Sequence, residues 1–405
     1  MNGMLILLIA HYEGKLLCRN FIFLLLCGFM LLGITVFHVF LQSDWRVFEY
    51  TVNLPSGMPY ANAYLWGIMQ SFLVIFVVGD FVYRDNIEKT NDVFLARDFS
   101  NLEYLTGKLV GVVVAFLVLN VISMFICMLI HLFASSFKFN VGLYLFYLLT
   151  VSLPALLFMS GLAFMMKIWI KFRFFAFTVL VIFFLLSLFV FSTKALGVFD
   201  CMASRVPHIF SSMVGHPAMG SYLLHRLVFV LVGVGCFVIS VYGFKRLPNN
   251  IGRSRRLGVV GLVFVLLGFL TGWLYWLPHQ VMRETRSDWI AIQKKYDAYP
   301  KVKIDQHEIK YDIHGEKILA HSVISVRNSN SFRVDTVIFY LNPSLEITSV
   351  TAGNCDLNFT RNQQIVEIEK SLYPDERSEL ELSYSGAIDP QICYLDISPE
   401  RYDEQ

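Results

Sequence analysis

The sequence predicts a polytopic α-helical membrane protein of about seven transmembrane helices followed by an extracytoplasmic antiparallel β-sandwich-like domain. Composition, seven long apolar runs and a later change of hydrophobic period carry that prediction. Of 405 residues 56% are hydrophobic, 37 are Phe and only 16% are charged, a balance foreign to a water-soluble globular enzyme of this length. The net charge of +2 hides a division at Trp276, where the apolar runs end. Up to that point 19 Lys/Arg stand against 10 Asp/Glu, and beyond it 14 stand against 21. The first part suits anionic headgroups and the second suits water.

A spanning helix needs roughly 20 mostly apolar residues, because the hydrocarbon offers backbone groups no partner. Residues 21–41, 61–82, 109–133, 144–165, 174–191, 227–244 and 257–276 qualify, the fifth and sixth being the shortest. Pro154 inside the fourth run is expected to kink it. The opening run, 4–10, is too short to span and lacks a small-residue cleavage site, so it reads as an interfacial helix rather than a signal peptide. Leu5, Leu8, Ile9, Tyr12 and Leu16 share its apolar stripe, with Glu13 and Lys15 on the flanks.

Cations set the orientation, since Lys and Arg are retained on the cytoplasmic side of short loops. With the N-terminus inside, fourteen fall in cytoplasmic segments, including the cluster Arg253, Arg255 and Arg256, and five fall outside: Arg46, Lys138, Lys194, Arg205 and Arg226. Seven spans then put everything after Trp276 outside. Trp273, Tyr275 and Trp276 close the last span where amphipathic rings collect. The domains expected are an interfacial helix (1–20), a transmembrane domain (21–276), a helical linker (277–299) ending before Pro300, and a β-domain (300–405) expected to be incomplete. Period-two patterning places strands at 318–326, 334–341, 365–368 and 380–384, separated by Asn/Ser- and Pro-containing turns.

The loop from Arg84 to Lys108 mixes charges of both signs around the apolar patch Val93-Phe94-Leu95, which suits docking on a soluble partner. Its Ser100, Glu103, Tyr104, Gly107 and Lys108, together with the interfacial helix, resemble the membrane subunit of a type-2 ABC exporter over residues 1–276. That family often has proline where this chain has Asp98. The resemblance implies a permease subunit of the bacterial cytoplasmic membrane that works with a separate ATPase, dimerises with a like or related permease and binds no nucleic acid. It implies a coupling site drawn from Arg84, Asp85, Thr90, Asp92, Val93, Phe94, Arg97, Glu103 and Lys108.

Residues 300–390 resemble the N-terminal β-domain of the zinc aminopeptidase family that includes leukotriene A hydrolase. The segments Ile309–Ile313, Val323–Asn328, Phe339–Pro343 and Leu380–Gly386 carry the likeness in that order. The whole chain then looks like the front part of a bacterial permease–aminopeptidase fusion. The competing readings are a membrane anchor for a peptidase whose catalytic part lies elsewhere, and a membrane sensor with an external β-domain.

Catalysis is not encoded in any recognisable form. No His-Glu-x-x-His sets two imidazoles on one helix face, and His307, His314 and His321 read as surface residues. Gly107-Lys108 lacks the earlier glycine of a phosphate-binding loop and is followed by Leu109. No enzyme activity, metal or cofactor is therefore expected. Cys355 and Cys393, external in this topology, are candidates for a disulfide.

Overall fold

The computed structural model describes residues 3–42, 56–87, 100–134, 139–170, 172–192, 197–204, 206, 210, 215–216, 218–244, 251–315, 317–353, 355–389, 392–393 and 395. Its contacts divide the chain into two units, Met1–Leu277 and Pro278–Gln405.

The first unit is helical. Its elements are α1 (Gly3–Arg19), α2 (Phe21–Gln42), α3 (Gly57–Ile87), α4 (Asn101–Ala134), α5 (Val141–Tyr147), α6 (Leu153–Trp169), α7 (Arg173–Leu186), α8 (Met219–Gly243) and α9 (Ile251–Tyr296), which continues into the second unit. A π-helical turn, Leu148–Ser152, joins α5 to α6, and a second, Ser187–Phe191, extends α7. Among the described residues, seven helices are long and apolar enough to cross a membrane: Phe21–Phe40, Gly57–Gly79, Asn101–Phe133, Val141–Trp169, Phe174–Phe191, Met219–Gly243 and Arg255–Tyr296. All seven predicted runs fall on them, and the sixth proves longer because its first turns contain the polar residues His225 and Arg226. Outward-facing side chains are themselves apolar; on α9 Val259, Leu262, Val263, Leu266, Phe269, Leu270 and Trp273 are all exposed. A contiguous face of that kind marks a lipid-facing surface.

Three local expectations gain detail from the structure. In α1 the buried face is Ile6, Ala10, Glu13 and Leu17, whereas Leu8, Tyr12 and Leu16 of the predicted stripe are exposed. The protein-facing side of this helix was chosen by a charge, not by its largest apolar residues. Pro154 sits at the start of α6, immediately after the π-turn. A proline there cannot donate to the preceding turn, and the proline and the π-turn together mark the point where a span bends. The linker helix expected over 277–299 is the C-terminal part of α9, a 46-residue helix that runs through Pro278 and stops at Tyr296, before Pro300.

Close helix approach in this unit rests on glycine. A Cβ at Gly161 on α6 would collide with the Gly233 carbonyl of α8, and one at Gly233 would lie 2.6 Å from the Phe158 Cα. Two residues on, across α8, Gly235 faces Gly261 of α9 at similar range. Residues two apart point to nearly opposite sides of a helix, so α8 meets α6 and α9 backbone to backbone. Lipid tails are as apolar as the helices, so close packing of this sort rather than water exclusion must hold spans together. The core so formed centres on Val74, Ile75, Val78, Leu105, Val112, Phe116, Met159 and Phe164.

The second unit holds the C-terminal part of α9 and eight strands: β1 (Lys303–His314), β2 (Lys317–Arg327), β3 (Val337–Tyr340), β4 (Leu345–Ala352), β5 (Cys355–Asp356), β6 (Phe359–Asn362), β7 (Ile365–Ile368) and β8 (Arg377–Gly386). They form one sheet in the order β1-β2-β8-β4-β5 and another in the order β3-β7-β6, antiparallel throughout. Period-two residues from both sheets, among them Ile324, Val326, Val337, Val366, Ile368, Leu380 and Leu382, share one core. The four predicted strands correspond to β2, β3, β7 and β8. Trp289 and Tyr296 of α9 pack on the β6–β7 turn: the Trp289 indole donates to the Gln363 side chain at 3.3 Å, and Tyr296 donates to Glu367.

Candidate functional site

Of the coupling residues predicted from sequence, Thr90, Asp92, Val93, Phe94 and Arg97 lie outside the described residues, and Arg84 and Asp85 belong to the last turns of α3. Glu103 and Lys108 are described, and both are anchors. Glu103 accepts hydrogen bonds from the Ser100 N–H and hydroxyl, both at 2.9 Å, while its own N–H donates to Ser100 Oγ at 3.2 Å. This is a capping box, which satisfies free N–H groups at the start of α4. Asn101 donates to the Phe244 carbonyl at 2.8 Å, and the Tyr104 ring stacks on Phe244, tying that end of α4 to the end of α8.

One turn further on, Lys108 Nζ lies 3.3 Å from Glu13 Oε2, with both side chains about 95% buried. The ammonium also sits 5.3 Å from the Tyr104 ring centre. Gly107 and Gly111 bring α1 close: added Cβ atoms would lie 2.6 Å from the Ile9 Cβ and 2.8 Å from the Ala10 carbonyl. The N-terminal helix is therefore seated directly on α4 around one buried ion pair. The sequence held a signal for this pair in Glu13, a carboxylate in an apolar helix, but its partner is 95 residues away.

Deeper in the unit, polar side chains line a seam along α3, α4 and the π-turn. Gln70 donates to the Ser152 carbonyl at 2.7 Å and accepts from Asn120 at 2.7 Å. Ser152 donates to the Ala63 carbonyl, and Ser123 donates to Asn62, both at 2.8 Å. The π-turn breaks the regular helical ladder at Leu148–Ser152, and Gln70 serves the Ser152 carbonyl. Thr150 pairs with the Tyr222 hydroxyl at 2.7 Å, extending the seam to α8. There Arg226, 2% exposed, donates to the Cys201 carbonyl at 2.7 Å, and His225 meets the Gly197 carbonyl at 2.8 Å. Asp200 caps the same loop by accepting from the Met202 and Ser204 backbone N–H groups. Sequence reading placed Arg226 in an external loop; the structure places it in the second turn of α8 and buries it. The seam supplies interhelical hydrogen bonds, worth about 0.6 kcal/mol each on average.

In the second unit, Gln293, Tyr340, Leu341, Asn342, Gln364, Ile392 and Leu395 line a cleft of about 430 Å³. Gln364 donates to the Trp289 carbonyl at 2.6 Å. Arg361 clamps the rim through the Asn342 carbonyl at 2.7 Å and the Leu345 carbonyl. His307, His314 and His321 are exposed on β1 and β2, and among the described residues no group of three His, Cys, Asp or Glu side chains is arranged to hold a metal. Cys355 and Cys393 are separate, exposed thiols.

Among the described residues, seven helices long and apolar enough to cross a membrane, followed by an antiparallel sheet unit, point to a polytopic membrane protein. No family model matches the sequence and no curated protein matches it. Among solved structures, a match is found to an M1 zinc metallopeptidase from Deinococcus radiodurans, 14% identical, covering 22% of this chain and 22% of that one, with a TM-score of 0.20. This chain thus spans about a fifth of that structure.

Proposed function

We propose that the chain is the membrane-spanning permease subunit of an ABC-type exporter, working as a dimer of permeases with a separate ATPase. The observation that supports it most directly is the seating of α1 on α4 through Glu13 and Lys108, beside the capped start of α4. A partner docked on residues 88–99 would push on a helix start already locked to a second helix, which is what a rigid-body coupling device requires. The cation bias orients this end toward the cytoplasm of a bacterial inner membrane and puts the sheet unit outside.

Co-purification tests the reading. Phe94→Asp buries an unpaired carboxylate in the proposed contact and is expected to abolish recovery of an ATP-binding protein at unchanged membrane yield. Equal recovery of the partner with the variant would dismiss the loop as a coupling site. Absence of any ATPase from the unmodified chain under gentle detergent would favour a membrane anchor for a peptidase-like domain. Topology is checked separately: tags after Gln405 and within 245–250 are expected on opposite sides of the membrane, and a cytoplasmic C-terminal tag would overturn the orientation.

A further inference from the structure

The two edges of the five-stranded sheet are unlike. β5 is two residues long, whereas β1 runs for twelve residues, all exposed, with no proline and no register shift after Gln306. Natural sheets blunt such edges with proline, bulges or charges turned toward the core side. On β1 the core side is apolar. Ile309, Tyr311 and Ile313 pair with Ser322, Ala320 and Ile318 of β2 and share their face. Ala320 and Ser322 are 4% and 1% exposed, yet Ile309, Tyr311 and Ile313 are 47%, 62% and 66% exposed. The apolar stripe overhangs the core.

Hydrogen-bonding direction fits a further strand. His314 pairs with Lys317 across the turn at Gly315, whose φ is +65°. A hairpin closed by two residues makes its flanking pair a hydrogen-bonded one. Backbone direction then alternates, so Ile309, Tyr311 and Ile313 turn their N–H and C=O groups away from β2. The rows of free groups and apolar side chains therefore belong to the same residues.

We infer that β1 is the docking edge for a second copy of this chain, paired antiparallel about a two-fold axis at Tyr311. In that register Tyr311 meets Tyr311, and Ile309 meets Ile313 twice. On the other face Lys310 meets Asp312 twice and Glu308 meets His314 twice. Every charged cross-strand pair joins opposite or neutral partners, which is the favourable arrangement for a ladder. Moving the axis one residue pair toward Ile309 sets Ile313 against Asp305, and centring it on Lys310 sets lysine against lysine. Of these three centres only Tyr311 gives a self-complementary ladder, and pairing there would cover the stripe and join the two sheets into one. The inference stands independently of the transport reading, because it uses the second unit alone.

Disulfide trapping in the full chain, in nanodiscs, tests it after the exposed Cys18, Cys355 and Cys393 are replaced by serine. Tyr311→Cys is expected to cross-link rapidly between copies, since opposed Cα atoms of a hydrogen-bonded pair lie about 5.5 Å apart, within disulfide range. Ile309→Cys and Ile313→Cys are expected to cross-link when mixed and not singly, because like positions would be about 14 Å apart. Lys310→Glu in the Tyr311→Cys background should slow trapping roughly tenfold, and adding Asp312→Lys should restore it. A Tyr311→Cys chain that stays uncross-linked overturns the inference, whether lipid, another protein or nothing covers the stripe. Self-trapping of Ile309→Cys as fast as Tyr311→Cys overturns the register.

Discussion

Replacing Lys108 by alanine is expected to cost about 3–5 kcal/mol, because it strands the Glu13 carboxylate in a site where both partners are about 95% buried. The Coulomb attraction lost is only part of that figure. The larger part is the desolvation of a carboxylate left without its counter-charge, which the pair had offset. The double variant Glu13→Gln with Lys108→Met removes both charges and is expected to recover most of the loss, since apolar replacement of a whole buried pair is often neutral. Thermal unfolding of the detergent-solubilised chain, followed by size-exclusion fluorescence, measures both. If Lys108→Ala melted with the unmodified chain, the pair would not be what seats α1 on α4. The same variants separate stability from coupling, because the double variant is expected to regain its melting temperature while losing part of the rigid link to any docked ATPase.

The second large effect is expected at Gly161. Alanine is intrinsically better than glycine within a helix by about 1 kcal/mol, so a neutral site would gain from the change. At Gly161 the added Cβ meets the Gly233 carbonyl, a backbone group that cannot rotate away. The helices must separate, and overpacking of that kind costs typically about 1–3 kcal/mol and sometimes more. Steric exclusion therefore wins over propensity, and Gly161→Val should be worse still. Gly67→Ala provides the contrast, since nothing lies within 4 Å of the added atom and α3 should keep or slightly gain stability. The melting temperatures of the three variants decide it: equal values for Gly161→Ala and Gly67→Ala would show that the α6–α8 contact is looser than the structure has it.

How much of this was legible in the sequence depended on the range of the interaction. The seven spans could be read because crossing a membrane is a local demand: each helix must satisfy its own backbone and present apolar side chains for its full length. Strands β2 and β8 could be read for the same reason, since one buried face imposes period two on the strand itself. β5 and β6 could not, being two and four residues long with little or no buried face. Strand β4 was missed because its burial does not alternate cleanly and its pairing with β8 shifts register after Ile347.

The site shows the same division. Glu103 was singled out for coupling, and its position three residues after Ser100 also spells the capping box the structure displays. Lys108 was singled out too, but its partner is 95 residues away and nothing local points to it. The apolar stripe of α1 could be read, but not the face that packs on α4, which is set by Glu13 and the two glycines of α4. Pairings at a distance, Gln70 with Asn120 and the π-turn, Thr150 with Tyr222, and Gly161 with Gly233, leave no trace in any one segment. By itself the sequence determined which segments are long and apolar enough to enter a membrane and which face of a strand turns inward, since those follow from solvent and local period. Only the tertiary structure decided which helices touch and which charges are buried, because contact between distant segments is set by shape and desolvation at the point where they meet.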